Sequence, residues 1–184
     1  MIPVYALEPK PVSILTIEVT SGAGSGPTTL AAFDAALQDA GIADFNLIPL
    51  SSVIPRGSEV RTSGIRTVDR LPRTPRWGDR LYVVLAAAPV EKPNEEAWAG
   101  LGWVQVAATG EGLFAEHHGA SEHQVAADIH ATLTDMTQRR SSVDFGPVQS
   151  VIRGIVCDTR PVCSLVAASY MSAGWNLADQ IDLR

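Results

Sequence analysis

The sequence predicts a layered fold of the α+β or α/β class, in which β-sheets pack with two or three helices. Two patterns support this prediction. Short runs of β-branched and apolar residues recur along the 184 residues, and between them two stretches repeat apolar residues at helical spacing. Hydrophobic residues make up 46% of the chain and charged residues 18%, which is typical of a globular protein. We therefore expect one domain over residues 1–184.

The first part of the chain predicts a strand, a turn, a helix and a second strand. These elements lie at residues 11–20, 21–27, 30–40 and 45–50. Thr28 or Thr29 can cap the helix, and Gly41 suits its end. Pro49 should interrupt the second strand, because proline lacks the amide hydrogen that a sheet requires.

The second part predicts a long exposed loop from Arg56 to Arg80, rich in proline, glycine and arginine, and then several strands. Strands are expected at residues 79–88, 103–108, 112–118 and 148–156. A helix could begin at residues 95–98. Ser121 caps a second amphipathic helix that ends near Arg139. The apolar run at residues 162–170 fits either a strand or a buried helix.

Charge and composition restrict the binding partners of the protein and its cellular compartment. The net charge of −6 argues against nucleic acid as the main partner, although seven of the 14 basic residues are arginines between Arg56 and Arg80. No stretch is long enough to span a membrane, and the N-terminus lacks a signal-peptide pattern, so we expect a cytoplasmic protein. Cys157 and Cys163 lie in apolar surroundings and are predicted to be buried free thiols.

For each of four common kinds of functional site, the sequence lacks a necessary feature. The segment Ser21–Thr29 resembles a phosphate loop, but it has no lysine for the phosphates, and Pro27 removes a backbone donor. The four histidines do not have the spacing of zinc ligands. Cys163 has apolar neighbours, which should raise the pKa of its thiol and make it a poor nucleophile. No Gly-x-Ser-x-Gly motif marks a serine hydrolase.

The pair Ser51-Ser52 follows a short strand and precedes a proline-bounded loop. A serine hydroxyl can attack the carbonyl of the preceding residue if a turn holds the two together. The resulting ester can undergo β-elimination to dehydroalanine, which water converts to a pyruvoyl group. The alternative is an ordinary turn with two exposed serines, and the dipeptide alone does not decide between them.

Three segments of the chain, one of which contains these serines, resemble the pyruvoyl-dependent arginine decarboxylase family. They are Gly26-Pro-Thr-Thr-Leu-Ala-Ala-Phe-Asp-Ala-Ala-Leu37, Asn46-Leu-Ile-Pro-Leu-Ser-Ser-Val-Ile-Pro55 and Gly112-Leu-Phe-Ala-Glu-His-His-Gly119. The resemblance implies an αββα sandwich, self-cleavage into residues 1–51 and 52–184, and a trimer with active sites between subunits. It also implies a covalent pyruvoyl group made from Ser52, without metal or pyridoxal phosphate, as the electron sink for decarboxylation of an amino acid.

The same resemblance assigns roles to individual residues. Ser51 and Ser52 flank the cleaved bond, and Glu116 matches the acid that returns a proton to the substrate. Asn46 matches a residue beside the cleavage site, expected to donate a hydrogen bond to the scissile carbonyl. Asp34 matches the residue that pairs with the substrate guanidinium. The family's pocket-lining positions correspond in this chain to Leu30, Phe45 and Val53, which are therefore expected to line the substrate pocket.

Three functions remain open at this point. The first is decarboxylation of L-arginine to agmatine and CO2. The second is the same chemistry on another amino acid, because Phe45 is larger than the aliphatic residue expected there and could narrow the pocket. The third is an uncleaved, non-catalytic trimer that serves as a binding protein.

Overall fold

The computed structural model of the protein describes residues 14–62 and 76–175. Two helices are present in these ranges, α1 (Thr29–Asp39) and α2 (Glu122–Gln138). The strands, in chain order, are β1 (Leu15–Ser25), β2 (Asn46–Pro49), β3 (Val53–Ile54), β4 (Ser58–Arg61), β5 (Arg80–Val90), β6 (Glu96–Gln105), β7 (Gly112–Gly119), β8 (Gln149–Val156) and β9 (Val162–Ala173).

The strands form two sheets. Sheet A has the order β2-β5-β9-β1-β4, and sheet B has the order β3-β7-β6-β8. In sheet A, β9 lies in the centre and is antiparallel to both β1 and β5, whereas β2 and β4 pair parallel with β5 and β1. Sheet B is antiparallel throughout. The apolar run at residues 162–170, which the sequence left open, is therefore a strand.

The layers follow the order α1, sheet A, sheet B, α2. Buried side chains of α1 pack against one face of β5 and β9, and the other face of sheet A packs against sheet B. Helix α2 covers the outer face of β6 and β7. The αββα sandwich that the resemblance implied is confirmed by these contacts.

Helix α1 lies unusually close to β1 because three glycines face it. A Cβ atom on Gly22 would come 2.1 Å from the carbonyl oxygen of Ala36, and Gly24 and Gly26 would clash similarly. The prediction of a turn over residues 21–27 is wrong, since β1 continues to Ser25. These glycines permit close helix–sheet packing rather than a turn.

Both helix starts agree with the sequence. The Thr28 hydroxyl accepts a hydrogen bond from the amide of Ala31, and the Ser121 hydroxyl accepts one from the amide of Gln124. The predicted apolar face of α2 is buried, at Val125, Ile129 and Leu133. Gly41 has a φ of 75°, as expected for a residue that ends a helix.

Two further local predictions are wrong. The segment from Arg56 to Arg80 is not a loop throughout, because β4 lies within it and pairs with β1; residues 63–75 of that segment lie outside the described residues. Residues 95–98 do not begin a helix, because Glu96 starts β6, which pairs with β7 on one side and β8 on the other. Within residues 14–62 and 76–175, neither helix is long and apolar enough to cross a membrane.

Candidate active site

The chain crosses from sheet A to sheet B at Ser51 and Ser52. Just before the pair, the amide of Leu50 donates to the carbonyl of Val83 in sheet A, at 2.8 Å. Just after it, the carbonyl of Ser52 accepts from the amide of Phe114 in sheet B, at 2.9 Å. The peptide bond between the two serines is therefore held from both ends by different sheets.

The side chains of Ser52 and Glu116 are in direct contact. The Ser52 Oγ lies 2.7 Å from Oε1 and 2.8 Å from Oε2 of Glu116, so the hydroxyl donates to the carboxylate. Glu116 projects from β7, where it pairs with the buried Leu101 of β6. A carboxylate in this position can take the hydroxyl proton as the oxygen becomes a nucleophile.

A tight turn surrounds Ser52. The amide of Val53 donates to the carbonyl oxygen of Ser51 at 2.7 Å, and the carbonyl of Val53 accepts from the Tyr170 hydroxyl at 3.0 Å. Burial, and to a lesser extent the negative charge of Glu116, raises the pKa of Tyr170, so the phenol remains protonated at neutral pH. Sequence reasoning missed Tyr170, because its only signal was its place at the end of an apolar run.

Asn46 lies at the start of β2, and its side chain has another partner. Its Nδ2 donates to the carbonyl oxygen of Gly78 at 2.6 Å. The indole of Trp175 donates to the same oxygen at 2.7 Å. Within one chain, the side-chain amide of Asn46 therefore donates its hydrogen bond to Gly78. The hydrogen bond to the Ser51 carbonyl oxygen comes instead from the backbone amide of Val53.

The predicted substrate residues are divided between layers. Asp34 is exposed on α1, outside sheet A, where its carboxylate accepts a hydrogen bond from Gln38 at 2.8 Å. Leu30, on the same helix, is 76% exposed, and Val53, beside the serine pair, is 56% exposed. Phe45 instead packs against the core between α1 and sheet A. One chain thus brings together Ser52, Val53 and Glu116, but Asp34 and Leu30 lie in another layer.

Both cysteines are buried free thiols, as predicted. Burial raises the pKa of Cys163 to about 11, the direction expected from its apolar neighbours, so this thiol stays protonated at neutral pH. The serine pair, with its adjacent carboxylate, is thus a better nucleophilic centre than this cysteine.

The chain is similar over most of its length to known proteins of one family. The model of the family described as "Pyruvoyl-dependent arginine decarboxylase (PvlArgDC)" matches residues 16–173, which include Ser51, Ser52 and Glu116. The chain belongs to this family. The region matched extends from the first strand to the end of the last strand, so the resemblance of the three short segments extends to nearly the whole described fold.

Several curated relatives carry the name pyruvoyl-dependent arginine decarboxylase. The protein of Halobacterium salinarum is 41% identical over 87 residues, covering 47% of this chain and 51% of the relative. That of Thermoplasma volcanium is 32% identical over 136 residues, covering 72% and 70%. A pyruvoyl-dependent histidine decarboxylase structure, determined at pH 8, aligns with a TM-score of 0.41 at 12% identity, covering 60% and 61%. The chain spans about half the length of the Halobacterium relative.

Proposed function

We propose that this protein cleaves itself between Ser51 and Ser52 and then decarboxylates L-arginine to agmatine and CO2. The observation that carries the proposal is the pair of contacts, 2.7 and 2.8 Å, between the Ser52 hydroxyl and the Glu116 carboxylate, in a chain of this family. Cleavage yields a small chain of residues 1–51 and a large chain of residues 52–184.

Self-cleavage starts from the arrangement around Ser52. Glu116 accepts the hydroxyl proton while Oγ attacks the carbonyl carbon of Ser51, and the bond from that carbon to the Ser52 nitrogen breaks as the nitrogen takes up a proton. The product is an ester between Ser51 and the Ser52 oxygen. Loss of the Ser52 α-proton then expels Ser51 as a carboxylate and leaves dehydroalanine. Water replaces the nitrogen, which departs as ammonia.

The residues around Ser52 fit the pyruvoyl group that results. The amide of Phe114, 2.9 Å from the Ser52 carbonyl oxygen, would hold the same oxygen after cleavage, because that carbonyl stays bonded to Val53. The ketone supplies the chemistry of binding the substrate amine and accepting electrons as CO2 leaves. Glu116, already beside this residue, is placed to deliver a proton to the carbon that loses CO2.

We infer that a second copy of the chain completes the substrate-recognising part of the site. Asp34 lies on α1, which packs against sheet A, whereas Ser52 is hydrogen-bonded to Phe114 and Glu116 of sheet B, so a neighbouring subunit is the better source of an Asp34 close to Ser52. The exposed apolar side chains of Leu30 and Val53 support a contact of this kind. We propose a homotrimer in which Asp34 of one copy pairs with the guanidinium of an arginine held at Ser52 of the next.

A cytoplasmic location is part of the same proposal. Both cysteines are unpaired, which suits a reducing compartment.

The test is the release of CO2 and agmatine from L-arginine by the purified protein. Ser52→Ala should abolish both products. Asp34→Asn keeps the side-chain shape but loses the charge, and should lower kcat/KM for arginine by about 10- to 150-fold, corresponding to about 1.5–3 kcal/mol for a charged hydrogen bond. Asp158→Asn, at an exposed aspartate in the turn between β8 and β9, is the matched control and should retain activity.

The alternatives give different results in the same assay. Release of CO2 from another amino acid, with none from arginine, would establish the mechanism but refute the substrate. Retained activity in Ser52→Ala would refute the pyruvoyl mechanism. A chain that stays uncleaved and inactive on every amino acid would favour a non-catalytic binding protein.

A further inference from the structure

The turn at the cleavage site places a backbone donor on the scissile carbonyl. The amide of Val53 lies 2.7 Å from the carbonyl oxygen of Ser51, two residues earlier in the chain. When the Ser52 hydroxyl attacks the carbon of that carbonyl, negative charge develops on this oxygen. A fixed amide hydrogen at that distance stabilises such a charge, because the donor needs no reorganisation during the reaction.

Val53 is hydrogen-bonded to Tyr170. Val53 belongs to β3, the edge strand of sheet B, and its neighbour on that sheet is Leu113 of β7. Its carbonyl oxygen is bound instead by the Tyr170 hydroxyl, which reaches it from β9 in sheet A at 3.0 Å. This hydrogen bond joins the two sheets one residue after the nucleophile.

Tyr170 is buried in the core between the two sheets. The residue is only 8% exposed, and its ring meets that of Phe114 edge to face, with centroids 6.2 Å apart and an interplanar angle of 66°. The backbone amide of Phe114 holds the carbonyl of Ser52. The peptide groups on both sides of Val53 are thus bound to partners on interior strands, β7 and β9.

We propose that the backbone amide of Val53 is the oxyanion donor of self-cleavage, and that Tyr170 is the residue that positions it. The proposal rests on the self-cleavage proposed above. Asn46 does not fill this role within the chain, because its side-chain amide is bound to the carbonyl of Gly78.

In the first step, the Ser52 Oγ–H bond breaks and its proton goes to Glu116. A new bond joins Oγ to the Ser51 carbon, and the electron pair of the carbonyl moves to the oxygen that Val53 contacts. The pair then returns, the carbon–nitrogen bond breaks, and the nitrogen takes the proton.

Tyr170→Phe tests the positioning role, since it removes the hydroxyl and keeps the ring against Phe114. Precursor made by cell-free synthesis is followed by intact-mass spectrometry as it cleaves. We expect the rate of cleavage to fall by about 10- to 100-fold, less than the loss of a whole oxyanion donor, about 10²–10³-fold. Tyr82→Phe is the matched control, because Tyr82 packs against the same core from β5, and it should cleave at the wild-type rate.

Hydroxylamine distinguishes a role of Tyr170 in ester formation from a role in the later elimination step. It cleaves esters, so it releases the small chain as soon as the Ser51–Ser52 ester forms. If Tyr170 acts in ester formation, the cleavage rate of Tyr170→Phe remains low when hydroxylamine is added. Restoration of the wild-type rate by hydroxylamine would place Tyr170 at the elimination step and overturn the proposal. A Tyr170→Phe chain that cleaves within twofold of wild type would overturn it as well.

A pair of unnatural side chains separates hydrogen bonding from folding. Tyr170→p-aminophenylalanine keeps a donor at the position of the hydroxyl, and Tyr170→p-methylphenylalanine has nearly the same shape without one. The proposal predicts that the first cleaves within about threefold of wild type and the second as slowly as Tyr170→Phe. Equal rates for the two would refute it. Failure of the wild-type chain to cleave at all would instead refute the proposed function.

Discussion

Replacing Glu116 with glutamine should slow self-cleavage severely while leaving the turn intact. Both carboxylate oxygens lie within 2.8 Å of the Ser52 hydroxyl, and the glutamine carbonyl oxygen can still accept one hydrogen bond there. The variant therefore keeps the nucleophile in place but loses the base that takes its proton. General-base catalysis contributes about 10²–10⁴-fold. At about 1.36 kcal/mol for each tenfold change, this corresponds to an increase of about 3–5.5 kcal/mol in the activation free energy.

The assay measures the conversion of fresh precursor into two chains by intact mass over time. Glu91→Gln is the matched control, because Glu91 is exposed in the turn between β5 and β6. We expect the control to cleave like wild type and Glu116→Gln to lag by about 10² or more. If Glu116→Gln cleaved within threefold of wild type, the contact with Ser52 would not be catalytic, and the assignment of the base would be refuted.

Three further predictions concern stability. Gly22→Ala should lower the free energy of unfolding in urea by about 1–3 kcal/mol, because the added Cβ would meet the carbonyl of Ala36 at 2.1 Å; Ser25→Ala, at the exposed strand end, should change it by less than about 0.5 kcal/mol. Ser121→Ala removes the helix cap and should cost about 1 kcal/mol in the same measurement. The free energy of unfolding should fall as pH rises from 9.0 to about 11, because the folded chain retains the Cys163 proton that the unfolded chain releases. Cys163→Ala should remove this contribution to the pH dependence of the free energy of unfolding, which is at most about 1.4 kcal/mol per pH unit.

The sequence predicted best those elements that local interactions determine. Thr28 and Ser121 each bond an amide three residues later, and such caps depend on a few adjacent residues. The apolar spacing of α2 similarly required only its own sequence. These features need no knowledge of what packs against them, which is why they could be predicted.

Elements that depend on distant partners were predicted less well. β1 extends to Ser25 through alternating glycines, and only the approach of α1 explains why glycine is needed there. The strand β6 begins at Glu96 because β8, a segment more than 50 residues away, pairs with it there, and β7 joins on the other side from Trp98 onward. A short polar segment such as β4 carries little pattern of its own, and its pairing with β1 makes it a strand.

The candidate site shows the same division. The residues with reactive side chains, Ser52 and Glu116, could be selected from the sequence by their resemblance to a family. The backbone amide of Val53 has no side-chain signal, and Tyr170 lies within a buried strand, at a position where any large apolar residue would fit the pattern. Their roles depend on the crossing between the two sheets, which only the folded chain provides.

Self-cleavage is tested most directly by the intact mass of the purified wild-type protein after incubation. We expect two chains that join at Ser51 and Ser52, the larger of them blocked to N-terminal sequencing because its first residue carries a ketone in place of an amine. A single species of 19.5 kDa that persists on incubation would contradict it, and so would a large chain that begins with an ordinary serine.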